Sequence, residues 1–209
     1  MSTTDPKTAL KHFKTADPLM EMMLRTALKA PEPIELPVPK KSKDFFGAIT
    51  KSIVSQQISV KAAAAVFARV QNLLGTVTPD RVLALSEEDL RSCGLSGQKT
   101  KYIRHNANVW HEVPINDFKN MNDEEVITEL TKLYGIGRWT AEMFLMFSLA
   151  RPDVFSYGDL GLMQSIYQHY PVKPHWKRRI ETTVDAWSPH KTLASLTLWW
   201  HKDGGPLVL

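Results

Sequence analysis

The apolar residues of this chain recur at helical spacing along most of its length. Between residues 44 and 73 they stand three or four positions apart, which places them on single helical faces. The pattern breaks near Gln57–Ser59 and therefore predicts two helices that meet at this turn. The alternation of apolar and polar residues that indicates strands is nearly absent. The pattern predicts an all-α fold. The apolar residues at helical spacing between positions 44 and 73 are Phe45, Ile49, Ile53, Ala62, Val66 and Val70.

Residues that favour the first position of a helix mark further helix starts. They are Thr78 before Pro79, Ser86 with Asp89 three residues later, Ser96, and Asn122 or Asp123. The last helix is predicted within WSPHKTLASLTLWWH, residues 187–201, where a Ser-Pro pair provides the start. This helix is expected to carry Trp199 and Trp200 towards the interior.

The domain organisation is predicted from composition. Residues 31–43 alternate prolines with lysines and are expected to form an extended connector. We therefore expect residues 1–42 to form a helical segment and connector that pack on the second lobe of a core spanning residues 43–209. No internal repeat is visible, and a chain of 209 residues can bury one large core or two small lobes.

Composition excludes several classes of protein. Cys93 is the single cysteine, so the chain can form no intramolecular disulfide, four-thiolate iron–sulfur cluster or Cys/His zinc site. This predicts a reducing compartment and catalysis without a cofactor. The sequence shows no signal peptide and no run of about 18 apolar residues, so we expect an intracellular protein without membrane contact. The net charge of +4 suits a polyanionic partner but is weak evidence by itself.

The most informative segment is ELTKLYGIGRWTAEMFLMFSL, residues 129–149. A helical pattern stops at Gly135 and Gly137 and resumes at once, which predicts two helices joined by a very short turn. Two glycines separated by one apolar residue can adopt positive φ and expose main-chain N–H groups at the start of the second helix. Such a turn can bind a phosphate. A bare Gly-Ile-Gly is otherwise an ordinary helix end.

The longer string LYGIGRWTAE resembles the helix-hairpin-helix of the base-excision glycosylases, the HhH-GPD superfamily. FFGAITKSIVSQQISVKAAAAVFARV, GLSGQKTKYIRHNANVW and RPDVFSYGDLGLMQSIY resemble further segments of its 3-methyladenine-DNA glycosylase II family. The resemblance covers about residues 43–202 and implies a two-lobed helical fold that acts on double-stranded DNA containing alkylated bases. Residues 1–42 are too short for the β-rich amino-terminal domain of the longer bacterial enzymes, so the chain is similar to the short form.

The resemblance implies a role for Asp159, which stands just ahead of LGLMQSIY. By itself an aspartate here reads as a helix N-cap, and the two readings are compatible because a helix start favours a carboxylate. The matching aspartate of the superfamily is catalytic. A carboxylate near C1′ can stabilise an oxocarbenium-like sugar and orient water.

The resemblance also implies a pocket for the extruded base. Trp139 and Trp199 match pocket tryptophans, while Met143 stands where the family has a tyrosine, which weakens stacking on the base. Bifunctional relatives such as endonuclease III have a nucleophilic lysine at the position of Trp139, and tryptophan cannot form a Schiff base. A monofunctional DNA-3-methyladenine glycosylase without strand-cutting activity is therefore expected.

The remaining site residues are also implied by the resemblance. Gln57 matches the side chain that fills the gap left by the flipped base, and Gln56 is expected to face DNA beside it. Gly135, Gly137 and Thr140 would bind the DNA backbone. The main-chain carbonyls of Thr131, Leu133 and Ile136 match ligands of a structural Na⁺ or K⁺.

Two other classes stay open on the sequence. A helix-hairpin-helix protein could bind damaged or abasic DNA without catalysis, although the presence of Asp159 argues against this. A helical scaffold with incidental basic charge would require every motif match to be a coincidence. The sequence does not rank 3-methyladenine, 7-methylguanine, hypoxanthine and ethenoadenine as substrates. We expect a monomer in the bacterial cytoplasm and nucleoid or in a eukaryotic nucleus.

Overall fold

The computed structural model describes residues 5–205, and this range contains α-helices and loops but no strand. The all-α prediction is confirmed. Two single turns of 3₁₀-helix lie at Ser42–Asp44 and Trp110–Glu112. The α-helices are α1 (Pro6–Ala16), α2 (Pro18–Lys29), α3 (Phe45–Ser55), α4 (Val60–Leu74), α5 (Pro79–Leu83), α6 (Glu87–Ser92), α7 (Gly97–Val109), α8 (Asp123–Leu130), α9 (Arg138–Phe147), α10 (Leu160–His169), α11 (Lys177–Asp185) and α12 (Lys191–Asp203).

The chain folds into two compact units. The terminal unit joins the N-terminal segment, as far as Pro37, to the chain from Ala150 onward. The central unit is the continuous segment Val38–Leu149. The N-terminal helices α1 and α2 therefore share a unit with the last three helices, α10 to α12.

A buried carboxylate stabilises the terminal unit. Asp17 caps α2 by accepting a hydrogen bond from the Met20 N–H at 3.0 Å. Its other oxygen accepts from the Trp187 indole at 2.7 Å and the Tyr170 hydroxyl at 2.9 Å. An unpaired buried carboxylate would be strongly destabilising, so the two long-range donors, Trp187 and Tyr170, fix the N-terminal helices against the C-terminal part of the chain. Helix α12 packs on both α2 and α10 in the same unit.

In the central unit, α3 packs against α4, α7 and α9. Aromatic rings fill the interior, where Phe45 meets Phe144 edge to face at 5.0 Å and stacks with Phe118 at 6.4 Å. Aromatic rings bury more apolar surface than other side chains and therefore contribute strongly to the stability of a small core. Helix α7 also contacts α5 and α6, so it occupies the middle of this unit.

The predicted helix starts are confirmed at Thr78, Ser86, Ser96 and Asn122, each of which accepts a hydrogen bond from a first-turn N–H group. The predicted start of the last helix was wrong. Helix α12 begins at Lys191, and the Ser188–Pro189 peptide bond before it is cis.

The cause of this difference is a distant cap. Asp153 accepts the Ser188 hydroxyl at 2.6 Å and the Lys191 N–H at 3.2 Å. Ser188 therefore serves as a donor to Asp153 and does not cap the helix. Within α12, Trp199 is buried as expected, whereas Trp200 is half-buried and donates to the Glu32 carbonyl at 3.0 Å.

No helix among residues 5–205 combines the length and apolarity needed to cross a membrane.

Candidate functional site

Asp159 is the N-cap of α10 in the terminal unit, where it is 9% exposed. Its Oδ1 accepts the Leu162 N–H at 2.8 Å and the Trp199 indole N–H at 3.1 Å. Both donors suit a carboxylate oxygen, and the helix N-terminus adds a positive dipole end. The N-cap reading of Asp159 is therefore confirmed. The indole bond fixes the carboxylate orientation from a second helix, α12.

Gly161 leaves room for this pair. A Cβ at this position would lie 3.1 Å from the Asp159 Oδ1 and 3.3 Å from the Trp199 indole. Any larger residue would crowd the carboxylate and the ring that supports it. Sequence reasoning missed both this glycine and the indole bond. The only sequence signal for Gly161 is that it lies two residues after Asp159.

Two exposed side chains flank Asp159 along the chain. Leu160 is 78% exposed and Tyr157 is 46% exposed. Partial burial, together with the nearby carboxylates of Asp185 and Glu181, raises the pKa of Tyr157 to about 12. Its hydroxyl therefore remains a neutral hydrogen-bonding group at physiological pH.

In the central unit, α8 and α9 flank the hairpin of residues 131–137. Gly135 has a φ of +77°, and a Cβ there would lie 2.5 Å from the Tyr102 ring. The buried Asn106 amide donates to the Tyr134 carbonyl at 3.0 Å and accepts from the Tyr134 N–H at 2.8 Å. Helix α7 thus fixes the hairpin through a side-chain amide and an aromatic ring. Sequence reasoning did not identify Asn106.

The expectation of positive φ was wrong for Gly137, whose φ is −94° and ψ is 174°. Gly137 is the N-cap of α9, in the extended conformation that N-cap residues normally adopt. Within the described chain no side chain caps this helix, and a Cβ at Gly137 would have no heavy atom within 4 Å. Thr140, also predicted to bind the DNA backbone, lies buried in the first turn of α9. The glycine therefore leaves space beside the first N–H groups of α9.

Trp139 and Met143 are four residues apart on α9 and share one side of it. Trp139 is 47% exposed, and Met143 is half-buried. Arg138 begins the helix and donates to Glu124 and Glu142, each at 2.9 Å. These carboxylates raise the pKa of Arg138, Glu124 most strongly, so its charge is permanent.

The two neighbouring glutamines of the α3–α4 turn, both predicted to face DNA, differ in their surroundings. Gln57 is exposed and has a φ of +59°, a conformation that costs a non-glycine residue about 1 kcal/mol or more. Gln56 is half-buried, and its side-chain amide donates to the Gly135 carbonyl at 2.7 Å. Lys99 of α7 donates to the carbonyls of Val54 and Gln56, both at 2.7 Å. Burial lowers the pKa of Lys99.

The three carbonyls predicted to bind a cation lie along the same hairpin. The Leu133 carbonyl accepts the Ile136 N–H at 3.2 Å. The carbonyls of Thr131 and Ile136 accept no hydrogen bond from the rest of the described chain. Neutral main-chain oxygens of this kind suit Na⁺ or K⁺. Residues 5–205 contain no cluster of three or more His, Cys, Asp or Glu side chains that could hold a metal ion.

Residues 50–190 match the HhH-GPD superfamily of base excision DNA repair proteins. The chain belongs to this superfamily. It is 32% identical to the DNA-3-methyladenine glycosylase of Saccharomyces cerevisiae over 185 residues, which cover 82% of this chain and 62% of that protein. The chain thus spans less than two thirds of the length of this curated relative.

Solved structures agree with the superfamily assignment. The DNA-3-methyladenine glycosidase of Bacillus halodurans superimposes with a TM-score of 0.80 at 33% identity, covering 97% of this chain and 91% of that one. The Schizosaccharomyces pombe 3-methyladenine DNA glycosylase in complex with abasic DNA gives a TM-score of 0.76 at 28% identity, with 94% and 97% coverage. The fold expected from the resemblance, in its short form without strands, is confirmed for the described residues.

Proposed function

We propose that this protein is a monofunctional DNA glycosylase that hydrolyses the N-glycosidic bond of alkylated purines in double-stranded DNA. The observation that carries the proposal is Asp159, held at the start of α10 by a main-chain N–H and by the Trp199 indole. The names of the S. cerevisiae and B. halodurans relatives support 3-methyladenine as one of its substrates. We include 7-methylguanine in the same class because its base is also cationic.

The chemistry assigned to Asp159 is electrostatic. As the glycosidic bond breaks, positive charge develops on the sugar, and a fixed carboxylate stabilises this charge and orients the attacking water. A purine alkylated at N3 or N7 already carries positive charge, so it leaves as a neutral base. The reaction therefore requires no second carboxyl group as general acid, in contrast to ordinary glycoside hydrolysis.

Recognition of the extruded base is assigned to stacking. A flat cationic purine is attracted by the faces of indole rings, and Trp139 has an exposed ring. Trp199 belongs to the terminal unit, where its indole bond positions the Asp159 carboxylate. Met143 offers a flexible and polarisable side chain in place of a rigid ring. Such a side chain can adapt to several different purines.

DNA binding is assigned to the hairpin and to the α3–α4 turn. The uncapped N-terminus of α9, beside Gly137, would receive a backbone phosphate. A Na⁺ or K⁺ held by the carbonyls of Thr131, Leu133 and Ile136 would add positive charge there. Gln57 would fill the space left by the flipped base. We propose that the protein works as a monomer in the compartment that contains the genome.

The test is single-turnover release of each purine from methylated duplex DNA. The wild type is expected to release alkylated purines and leave intact abasic strands. Asp159→Asn should lower the rate by about 100-fold or more, because it removes the charge. Asparagine caps helices as well as aspartate does, so the melting temperature and the affinity for abasic DNA should be retained.

Wild-type-like release by Asp159→Asn would exclude Asp159 from the reaction. Tight binding of abasic DNA without release of any purine by the wild type would instead indicate the non-catalytic binding protein considered from the sequence.

A further inference from the structure

The α3–α4 turn requires support from outside itself. Gln57 has a left-handed φ of +59° on an exposed turn. Residues other than glycine rarely adopt this backbone conformation unless neighbouring groups hold it. Ordering a mobile side chain during binding costs free energy. A side chain that enters a duplex therefore binds better when the free protein already holds it in one orientation. The residues that hold the backbone of this turn therefore influence insertion.

Lys99 supplies this support from the first turn of α7. Its ammonium group donates to the carbonyls of Val54 and Gln56, both at 2.7 Å. These carbonyls lie at the C-terminal end of α3, where the helix leaves its last acceptors unsatisfied and its dipole favours a cation. One of the two belongs to the residue directly before Gln57. Lys99 is half-buried against this turn.

Gln56 connects the same turn to the hairpin. Its backbone carbonyl is bound by Lys99, and its side-chain amide donates to the Gly135 carbonyl at 2.7 Å. Loss of the Lys99 contact would free the backbone on one side of Gln57 and weaken the link between the turn and the hairpin.

We propose that Lys99 is a positioning residue that holds the α3–α4 turn so that Gln57 can enter the duplex when the target base is flipped out. Lys99 acts through Gln57 and does not itself touch the reacting nucleotide. The inference rests on the wedge role given to Gln57 in the proposed function, and its test therefore uses a readout that does not depend on catalysis.

The probe is a duplex in which 2-aminopurine lies opposite an abasic-site analogue. Entry of a wedge beside the 2-aminopurine disturbs its stacking and raises its fluorescence. At saturating protein the wild type is expected to raise the signal, and Lys99→Met should lose most of the increase. Methionine keeps the length of the stem and removes the donors. Release of alkylated purines from intact duplex should fall about tenfold, because both hydrogen bonds that hold the turn are lost while the residues assigned to the chemistry stay unchanged.

The matched control is Lys101→Met, which removes the same charge from an exposed position of the same helix. It should behave as wild type in both assays. Lys99→Arg, which keeps the charge and the donors, should restore most of the fluorescence. Because Lys99 acts through Gln57, Lys99→Met combined with Gln57→Ala should be no worse than Gln57→Ala alone.

Full fluorescence with Lys99→Met at saturation would overturn the proposal. So would equal losses in Lys99→Met and Lys101→Met, or fully additive effects of Lys99→Met and Gln57→Ala. If Lys99→Met melts early, Lys99→Gln, which keeps a shorter donor, is measured by the same criteria. Absence of purine release by the wild type, with the fluorescence pattern as expected, would reject the proposed activity and leave the role of Lys99 supported.

Discussion

At the scale of single residues, Trp199 makes a contact that its sequence position did not predict. The resemblance placed it in the base pocket. The structure adds a hydrogen bond from its indole to Asp159 Oδ1 at 3.1 Å. A hydrogen bond to a charged group in a buried setting is worth about 1.5–3 kcal/mol, so the orientation of the carboxylate depends measurably on this indole.

We therefore predict that Trp199→Phe slows base release about ten- to a hundredfold, the equivalent of this one hydrogen bond. Phenylalanine keeps an aromatic ring but loses the N–H donor and is smaller than indole, so the melting temperature should be measured as well. Single-turnover release and binding of abasic DNA should be measured together, and binding should hardly change.

Trp200→Phe is the matched control. Trp200 follows Trp199 in α12, and its indole donates to the Glu32 carbonyl, away from Asp159. This variant should release bases at the wild-type rate. Equal rates for Trp199→Phe and the wild type would show that the indole bond has no part in catalysis.

At the scale of elements, the two hairpin glycines have different reasons to be glycine. Gly135 has a φ of +77° and lies against the Tyr102 ring, whereas Gly137 is an extended N-cap with open space around it. We predict that Gly135→Ala lowers the free energy of unfolding by about 1 kcal/mol or more, while Gly137→Ala changes it little. Urea unfolding of both variants tests this. Equal losses would contradict the distinction.

The open space at Gly137 gives a second prediction about DNA binding. Gly137→Asp should keep or increase stability, because aspartate is a good N-cap. It should nevertheless weaken binding of abasic duplex by about 2 kcal/mol or more, roughly thirtyfold in Kd, since its carboxylate would occupy the N–H groups and repel phosphate. Gly137→Ala supplies the control without charge. Wild-type affinity of the aspartate variant would make the hairpin only a structural turn.

Local signals allowed prediction of the elements whose caps lie next to them in sequence. Ser86 with Asp89, and Asn122 with Glu125, form capping boxes within four residues, so these starts were readable. Helix α12 was misjudged because its first N–H group is bound by Asp153, which lies 38 residues away. Such a cap depends on the tertiary fold and leaves no local pattern.

At the scale of the whole molecule, long-range polar contacts are what the sequence could not supply. Asp17 contacts Trp187 and Tyr170 at separations of 170 and 153 residues, which joins the N-terminal helices to the C-terminal ones. The site shows the same limit. Motif matches pointed to the hairpin and to the α3–α4 turn, but the side chains that hold them, Asn106 for the hairpin and Lys99 for the turn, come from α7 and are brought there by the tertiary fold.

At the same scale, the proposed reaction should end at the abasic site. Cleavage of the strand through a Schiff base needs an amine at the sugar, and the family resemblance implies that Trp139 stands where bifunctional relatives have their lysine. Because the Trp139 side chain is 47% exposed on α9, substitution there should be tolerated by the fold. Borohydride added to the wild type on an abasic duplex is expected to trap no covalent adduct, with endonuclease III as the positive control.

The variant Trp139→Lys sharpens this test, because it returns an amine to the position used by those relatives. It should form a borohydride-trapped adduct in low yield, and its release of alkylated purines should fall because a stacking ring is lost. Trp139→Met separates the two effects, since it removes the ring without supplying an amine and should form no adduct. An adduct with the wild type as strong as that of endonuclease III would mean that another lysine reaches the sugar, and the proposed hydrolytic mechanism would have to be replaced by a covalent one.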